Sequence, residues 1–154
     1  MLVLSRKYVT RTYKLSQTFK APLDFVYKWS TDFREDDNKI IGTKTKRTFL
    51  EKTKRRYVWA VNYKEGNKAK EGIRAVWFKP PNAWHLDTCG DGREVGDYKL
   101  TPKGKNRTRL DMIFDVTYDD PRDVESKEEW ETDGKEHWKL FAAALEREYK
   151  ASQK

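Results

Sequence analysis

The sequence predicts an α+β domain in which a seven-stranded antiparallel sheet curls around one long C-terminal helix. Three observations predict it. Apolar residues recur with period two through most of the chain up to Asp119. Turn residues interrupt that alternation at fairly regular intervals. From Val124 to Lys154 the apolar spacing switches to three and four residues, which gathers side chains on one side of a helix.

The first strand is expected over residues 8–20, with Tyr13, Leu15, Gln17 and Phe19 on one face and Lys14, Ser16, Thr18 and Lys20 on the other. Ala21-Pro22 ends it, and proline suits a helix start because its missing N–H would have no partner there. Phe25, Val26, Trp29 and Phe33 give the following short helix an apolar side. A polar connection from Arg34 to Lys39 leads into a second helical turn ending at Ile41.

Six further strands are expected at 43–51, 56–64, 69–79, 83–89, 94–101 and 107–118. Lys64-Glu65-Gly66-Asn67, Pro80-Pro81-Asn82, Gly90-Asp91-Gly92 and Pro102-Lys103-Gly104 make the turns. Tyr57, Trp59, Val61 and Tyr63 face inward, as do Trp84 and Leu86, which turns His85, Asp87 and Cys89 outward. Leu110, Met112, Phe114, Val116 and Tyr118 form the buried face of the last strand. In the strand at 69–79 two inward sets compete, Ile73 with Trp77 and Val76 with Phe78.

The terminal helix has the clearest start. Ser126 and Glu129 fit a capping box, in which each side chain satisfies a backbone N–H left over by the first turn. Trp130, Gly134, Trp138, Phe141, Leu145 and Tyr149 make its apolar stripe, and Glu125, Glu128 and Glu129 near the start with Arg147 and Lys150 near the end suit the helix dipole. Such a stripe ordinarily faces a core; here part of it is also a candidate roof for a ligand cavity. Helices packing on the apolar side of so wide a sheet make it curl, and curling leaves space between sheet and helix.

A chain of 154 residues suits one domain spanning 1–154. With 38% charged and 36% apolar residues the core must rest on a few large side chains, which the six Trp, eight Tyr and seven Phe supply. The single cysteine, Cys89, excludes an internal disulfide and a multi-cysteine zinc site. With no signal-peptide core and no membrane span in the sequence, a soluble, cytoplasmic protein is expected. The formal charge of +8 is uneven: Val124–Lys154 holds six Lys or Arg against eight Asp or Glu, so the basic character belongs to the strands. Lys44, Lys46, Arg47, Lys52, Lys54, Arg55 and Arg56 face only Glu51. Lys44, Lys46, Lys52, Lys54, Arg55 and Arg56 are candidates for weak polyanion or anionic-surface contact, although basic residues also keep sheet edges soluble. Specific nucleic-acid binding is not expected, because Phe49 and Tyr57 alternate onto the buried face and leave no ring for base stacking.

Several motifs together resemble the START-like, or SRPBCC, helix-grip superfamily, which includes polyketide cyclases and birch-pollen-allergen-like binding domains. They are Phe19-Lys20-Ala21-Pro22 leading into Phe25-Val26 and Trp29, Thr31-Asp32-Phe33, Pro80-Pro81 before a strand, Tyr98 to Gly104 turning into Asn106 to Leu110, and Leu145-Glu146 near the end. The resemblance covers nearly the whole chain. It implies a cavity between sheet and terminal helix for a lipid, sterol, polyketide or similar apolar molecule, and implies no shared catalytic set. The expected function is noncovalent binding or transport of such a ligand. A cyclase or dehydratase using the same cavity, and a chaperone-type interaction module using the basic face, are the alternatives.

The expected cavity wall is Gln17, Trp29, Trp59, Tyr63, Trp84, Tyr98, Met112, Phe114, Trp138, Phe141 and Leu145, with hydrogen bonds from Gln17, Tyr63 and Tyr98, although so many rings could instead fill the space. His137, beside Trp138, is a candidate polar group in that cavity or a helix-flank histidine without a role. No phosphate loop, His-Glu-x-x-His or nucleophile elbow is present in the sequence. No catalytic residue, metal or cofactor is therefore expected. Cys89 has no base visibly placed beside it. The acidic groups Asp32, Glu35, Asp36, Asp37 and Asp119, Asp120, Asp123 lack calcium-loop spacing and read as ordinary loops.

Overall fold

Alternation in the first strand produces β1 (Val9–Phe19), and the same pattern continues through β2 (Thr48–Lys52), β3 (Arg56–Glu65), β4 (Lys68–Lys79), β5 (Ala83–Cys89), β6 (Arg93–Pro102) and β7 (Thr108–Tyr118). The structure is a computed structural model that describes residues 7–35, 37–42, 47–65, 68–90 and 92–154, and only the backbone of 62–65 and 68–70. The seven strands form one antiparallel sheet in the order β1-β7-β6-β5-β4-β3-β2. This is the expected meander, closed by pairing of its last strand with the first. Helix α1 (Leu23–Thr31) follows β1 with Pro22 at its start, and Asp37–Ile41 forms the second helical turn as a 3-10 helix.

Helix α2 spans Lys127–Ser152, with the Glu129 N–H donating to the Ser126 hydroxyl at 3.1 Å. Ser126 is the N-cap that the sequence pattern marks, and Val124 and Glu125, which open the patterned stretch, precede the helix. Pro121–Asp123 forms a 3-10 turn, and Val124 and Ser126 are extended, so the chain has to turn before the helix can start. Strand β2 carries a register shift between Phe49 and Glu51; Arg47 of the expected strand precedes it, and residues 43–46 lie outside the described ones.

The ambiguity of the fourth strand resolves by burial. Val76 is buried and Phe78 half-buried, whereas Ile73 is 52% exposed. Side chains directly opposite across antiparallel strands share a face, so the register lays out the concave side in rows. One row is Tyr57, Val76, Leu86, Gly96, Phe114 and Tyr13. The next is Phe78, Trp84, Tyr98, Met112 and Leu15. Gly96 leaves room in its row for large neighbours, since a Cβ there would stand 3.0 Å from the rings of both Phe114 and Tyr98.

Helix α2 covers these rows from the β1 side. Its Glu131 carboxylate accepts the Lys14 N–H at 3.3 Å and its Glu146 carboxylate accepts the Lys20 N–H at 2.9 Å. Edge strand β1 thus has backbone donors satisfied by the helix rather than left open to another chain. Gly134 permits the close approach, because a Cβ there would lie 2.5 Å from Leu15 Cδ1. The stripe residues Trp130, Trp138, Phe141, Leu145 and Tyr149 all turn toward the core. Among the described residues, no helix is long and apolar enough to cross a membrane.

Candidate functional site: a cavity at the start of the terminal helix

The first inward ring of α2 is Trp130, stacked on Tyr13 at 4.5 Å and tilted against Phe114 at 4.9 Å. Both partners belong to the row that contains Gly96. One row further along the sheet come Trp59, Arg74, Thr88, Glu94 and Val116, each opposite the next. The helix starts too late to cover all of this row. A cavity of about 330 Å³ lies here, lined by Val61, Arg74, Thr88, Glu94, Val116, Tyr118 and Trp130, and also by Arg93, Asp119, Asp123 and Glu125.

The row inside it is polar where the rows under the helix are apolar. Arg74 donates from Nε to the Thr88 hydroxyl at 2.8 Å, and its Nη2 lies 3.8 Å from the Glu94 carboxylate. Thr88 is buried, and Arg74 and Glu94 are about a third exposed. These groups are fixed by one another, not by the core, so a polar part of a ligand entering the cavity meets preset donors and acceptors. On the opposite side, Tyr13 donates to the Glu125 carbonyl at 2.7 Å, which leaves the Tyr118 hydroxyl as donor in the 3.0 Å bond between the two tyrosines. Burial, and then that bond, push the Tyr118 hydroxyl up from its ordinary range, so it stays protonated. Val61, Val116 and Trp130 provide the apolar surface.

None of the expected wall residues with a described side chain lines this cavity. Trp84 stacks on Tyr98 at 4.9 Å, Tyr98 meets Phe114 at 5.5 Å and Trp138 at 6.3 Å, and Trp138 meets Phe141 at 5.4 Å. With buried Met112 and Leu145 these rings pack beneath the middle of α2. Trp59 packs with Phe33 and Phe49 under the Arg47 guanidinium, 5.3 Å from its ring. Trp29 faces Phe141 and donates its indole N–H to Glu148. Gln17 donates to the Thr18 carbonyl at 2.9 Å. The side chain of Tyr63 lies outside the described residues, and His137 is exposed on α2.

In the basic segment, Lys52, Lys54 and Arg55 are exposed, whereas Arg56 holds Glu51 in a two-pronged pair at 2.9 and 2.7 Å. Lys52 also covers the rings of Phe49 and Tyr57, at 4.4 and 4.9 Å. Arg47 is consumed internally, paired with Asp37 at 2.8 Å, and burial lowers its pKa. Lys44 and Lys46 lie outside the described residues. Cys89 donates to Asp87 at 3.6 Å; burial first, and then that carboxylate, hold its thiol protonated.

The residues missed from sequence are Arg74, Thr88, Glu94, Val116, Tyr118 and Trp130 as a lining set. A usable signal was present in the alternation. Stepping by two from Val76, Leu86, Gly96 and Phe114 toward the same sheet end reaches Arg74, Thr88, Glu94 and Val116.

Architecture and comparison agree on the fold, a helix-grip α+β fold that this chain shares with several solved structures. An aromatase/cyclase, ZhuI from Streptomyces sp. R1128, superposes with a TM-score of 0.67 at 16% identity over 95% of this chain and 97% of its own. Norcoclaurine synthase from Thalictrum flavum, solved with dopamine and hydroxybenzaldehyde, gives 0.67 at 13% identity over 96% and 94%. A START superfamily protein from Mycobacterium smegmatis gives 0.61 at 17% over 94% and 97%. No family model and no curated protein sequence matches the chain. Likeness at these identities establishes the fold alone.

Proposed function

We propose that the protein binds a small organic molecule noncovalently in the cavity at the start of α2, with an apolar body against Val61, Val116 and Trp130 and a polar group toward Arg74, Thr88 and Glu94. The observation that carries the reading is the placement of that polar row beside apolar walls where the helix leaves the sheet uncovered. Small-molecule sites are mostly apolar hollows with a few placed polar groups, typically of about 300–1,000 Å³. A volume of about 330 Å³ suits a compact ligand rather than a long lipid chain. The aromatic residues expected to form the wall serve this reading as the rigid base next to the cavity, because a packed ring cluster holds the neighbouring row in place.

The uncharged probe N-phenyl-1-naphthylamine tests it. Its fluorescence should rise on binding to the native chain, and Val116→Trp, which fills the hollow, should weaken binding about tenfold or more. Lys135→Ala on the outer face of α2 should leave it unchanged. Equal binding by native protein and Val116→Trp would remove the cavity from the account, as would no binding at all.

A further inference from the structure

We infer that the ligand is a protonated amine on a flat apolar body, an inference that rests on the cavity being the binding site. The chain carries +8 overall, yet among the described residues this hollow is lined by four acidic residues, Glu94, Asp119, Asp123 and Glu125, against two arginines, Arg74 and Arg93. Both guanidiniums are already engaged. Asp87 holds Arg93 through two bonds, at 3.1 and 2.7 Å, and Arg74 is held by Thr88 with Glu94 beside it. Arg122, the cation in the loop that carries Asp123, is closed onto Asp120 at 2.6 Å. Asp119 and Asp123 form no ion pair among the described residues.

Among the described lining residues the balance of charge is therefore acidic, against that of the molecule as a whole. A hollow lined by one sign of charge between low-dielectric walls concentrates the field and draws in the opposite ion. A carboxylate ligand would have to approach past Asp119, Asp123 and Glu125 and compete with Glu94 for Arg74. An ammonium group meets acids of the opposite sign, while Trp130 and Tyr118 in the lining supply aromatic surface beside it.

A matched series separates charge from shape: tryptamine, 3-methylindole and indole-3-acetate share one ring and differ in charge. Calorimetric titration of the full chain at pH 7 and low salt should give tryptamine about tenfold or greater preference over indole-3-acetate, an advantage that 0.5 M salt reduces. Asp119→Asn with Asp123→Asn should lose most of that preference, read as a fall of about tenfold in the ratio of tryptamine to 3-methylindole affinity. Glu94→Gln supplies a second variant should the double one fold poorly. Equal or tighter binding of indole-3-acetate would overturn the amine assignment while leaving the cavity reading intact, since 3-methylindole would still bind. If none of the three binds, the amine assignment is wrong, and the uncharged naphthylamine probe decides whether the cavity reading falls with it.

Discussion

Asp32 ends α1 with one carboxylate oxygen buried and without a hydrogen-bond partner. Burial is the main reason its pKa rises to about 6; Asp37 adds to the rise, and Arg34, 3.5 Å away, opposes it. A carboxylate at a helix C-terminus also opposes the helix dipole. The folded state thus binds this proton more tightly than the unfolded chain, whose value is near 3.8. The contribution to stability is fully present below that unfolded value and is lost as pH rises through about 6. Asp32→Asn should therefore raise the thermal unfolding midpoint at pH 7.5, and the gain should vanish near pH 4. A gain of equal size at both pH values would show that the carboxylate's charge is not the cause. At this scale the sequence was only partly legible. Alternation identified Trp84, Leu86, Met112 and Phe114 as inward because their partners are apolar, but Arg74 and Glu94 occupy inward positions without being apolar. A hydrophobicity pattern passes over a charge whose burial is relieved by neighbours one and two strands away, as Thr88 and Glu94 are from Arg74.

Helix α2 was legible from its stripe and its Ser126 cap, and its docking depends on one position in that stripe. Gly134 lets the helix approach β1 so closely that Leu15, buried and hemmed in, touches it directly. Gly134→Ala adds intrinsic helix preference of about 1 kcal/mol. It also adds a methyl group that would force buried Leu15 to shift, and overpacking of this kind typically costs about 1–3 kcal/mol. The expected outcome in urea denaturation is a net loss of up to about 2 kcal/mol. A more stable variant would mean that helix and strand are not tightly apposed. What the stripe could not reveal was where the helix stops covering the sheet. That depends on the turn at Pro121–Asp123, which delays the helix and leaves the last concave row open. Glu131 and Glu146, which bind the edge amides of β1, read in sequence as ordinary solvated helix charges.

Across the whole molecule the order of strands and the long final helix followed from periodicity and turn residues, and the fold agrees with both. The position of the hollow did not follow, because it is set by the difference between sheet length and helix length. Large rings pack under the middle of α2, and the hollow lies at its start, where the row turns polar. The charge division along the chain was visible in composition. Its spatial consequence, an acid-lined hollow in a basic protein, required the fold to bring Glu94, Asp119 and Asp123 around one opening. The central claim is that this opening is where a ligand binds. Nuclear magnetic resonance of the full chain during titration with N-phenyl-1-naphthylamine tests it most directly. The methyl signals of Val61, Thr88 and Val116 and the indole N–H of Trp130 should shift together, while Trp77 and Ile113 on the outer face of the sheet stay in place. Shifts centred on Trp138 and Phe141, with Val116 and Trp130 unmoved, would contradict the account and put the ligand beneath the middle of the helix.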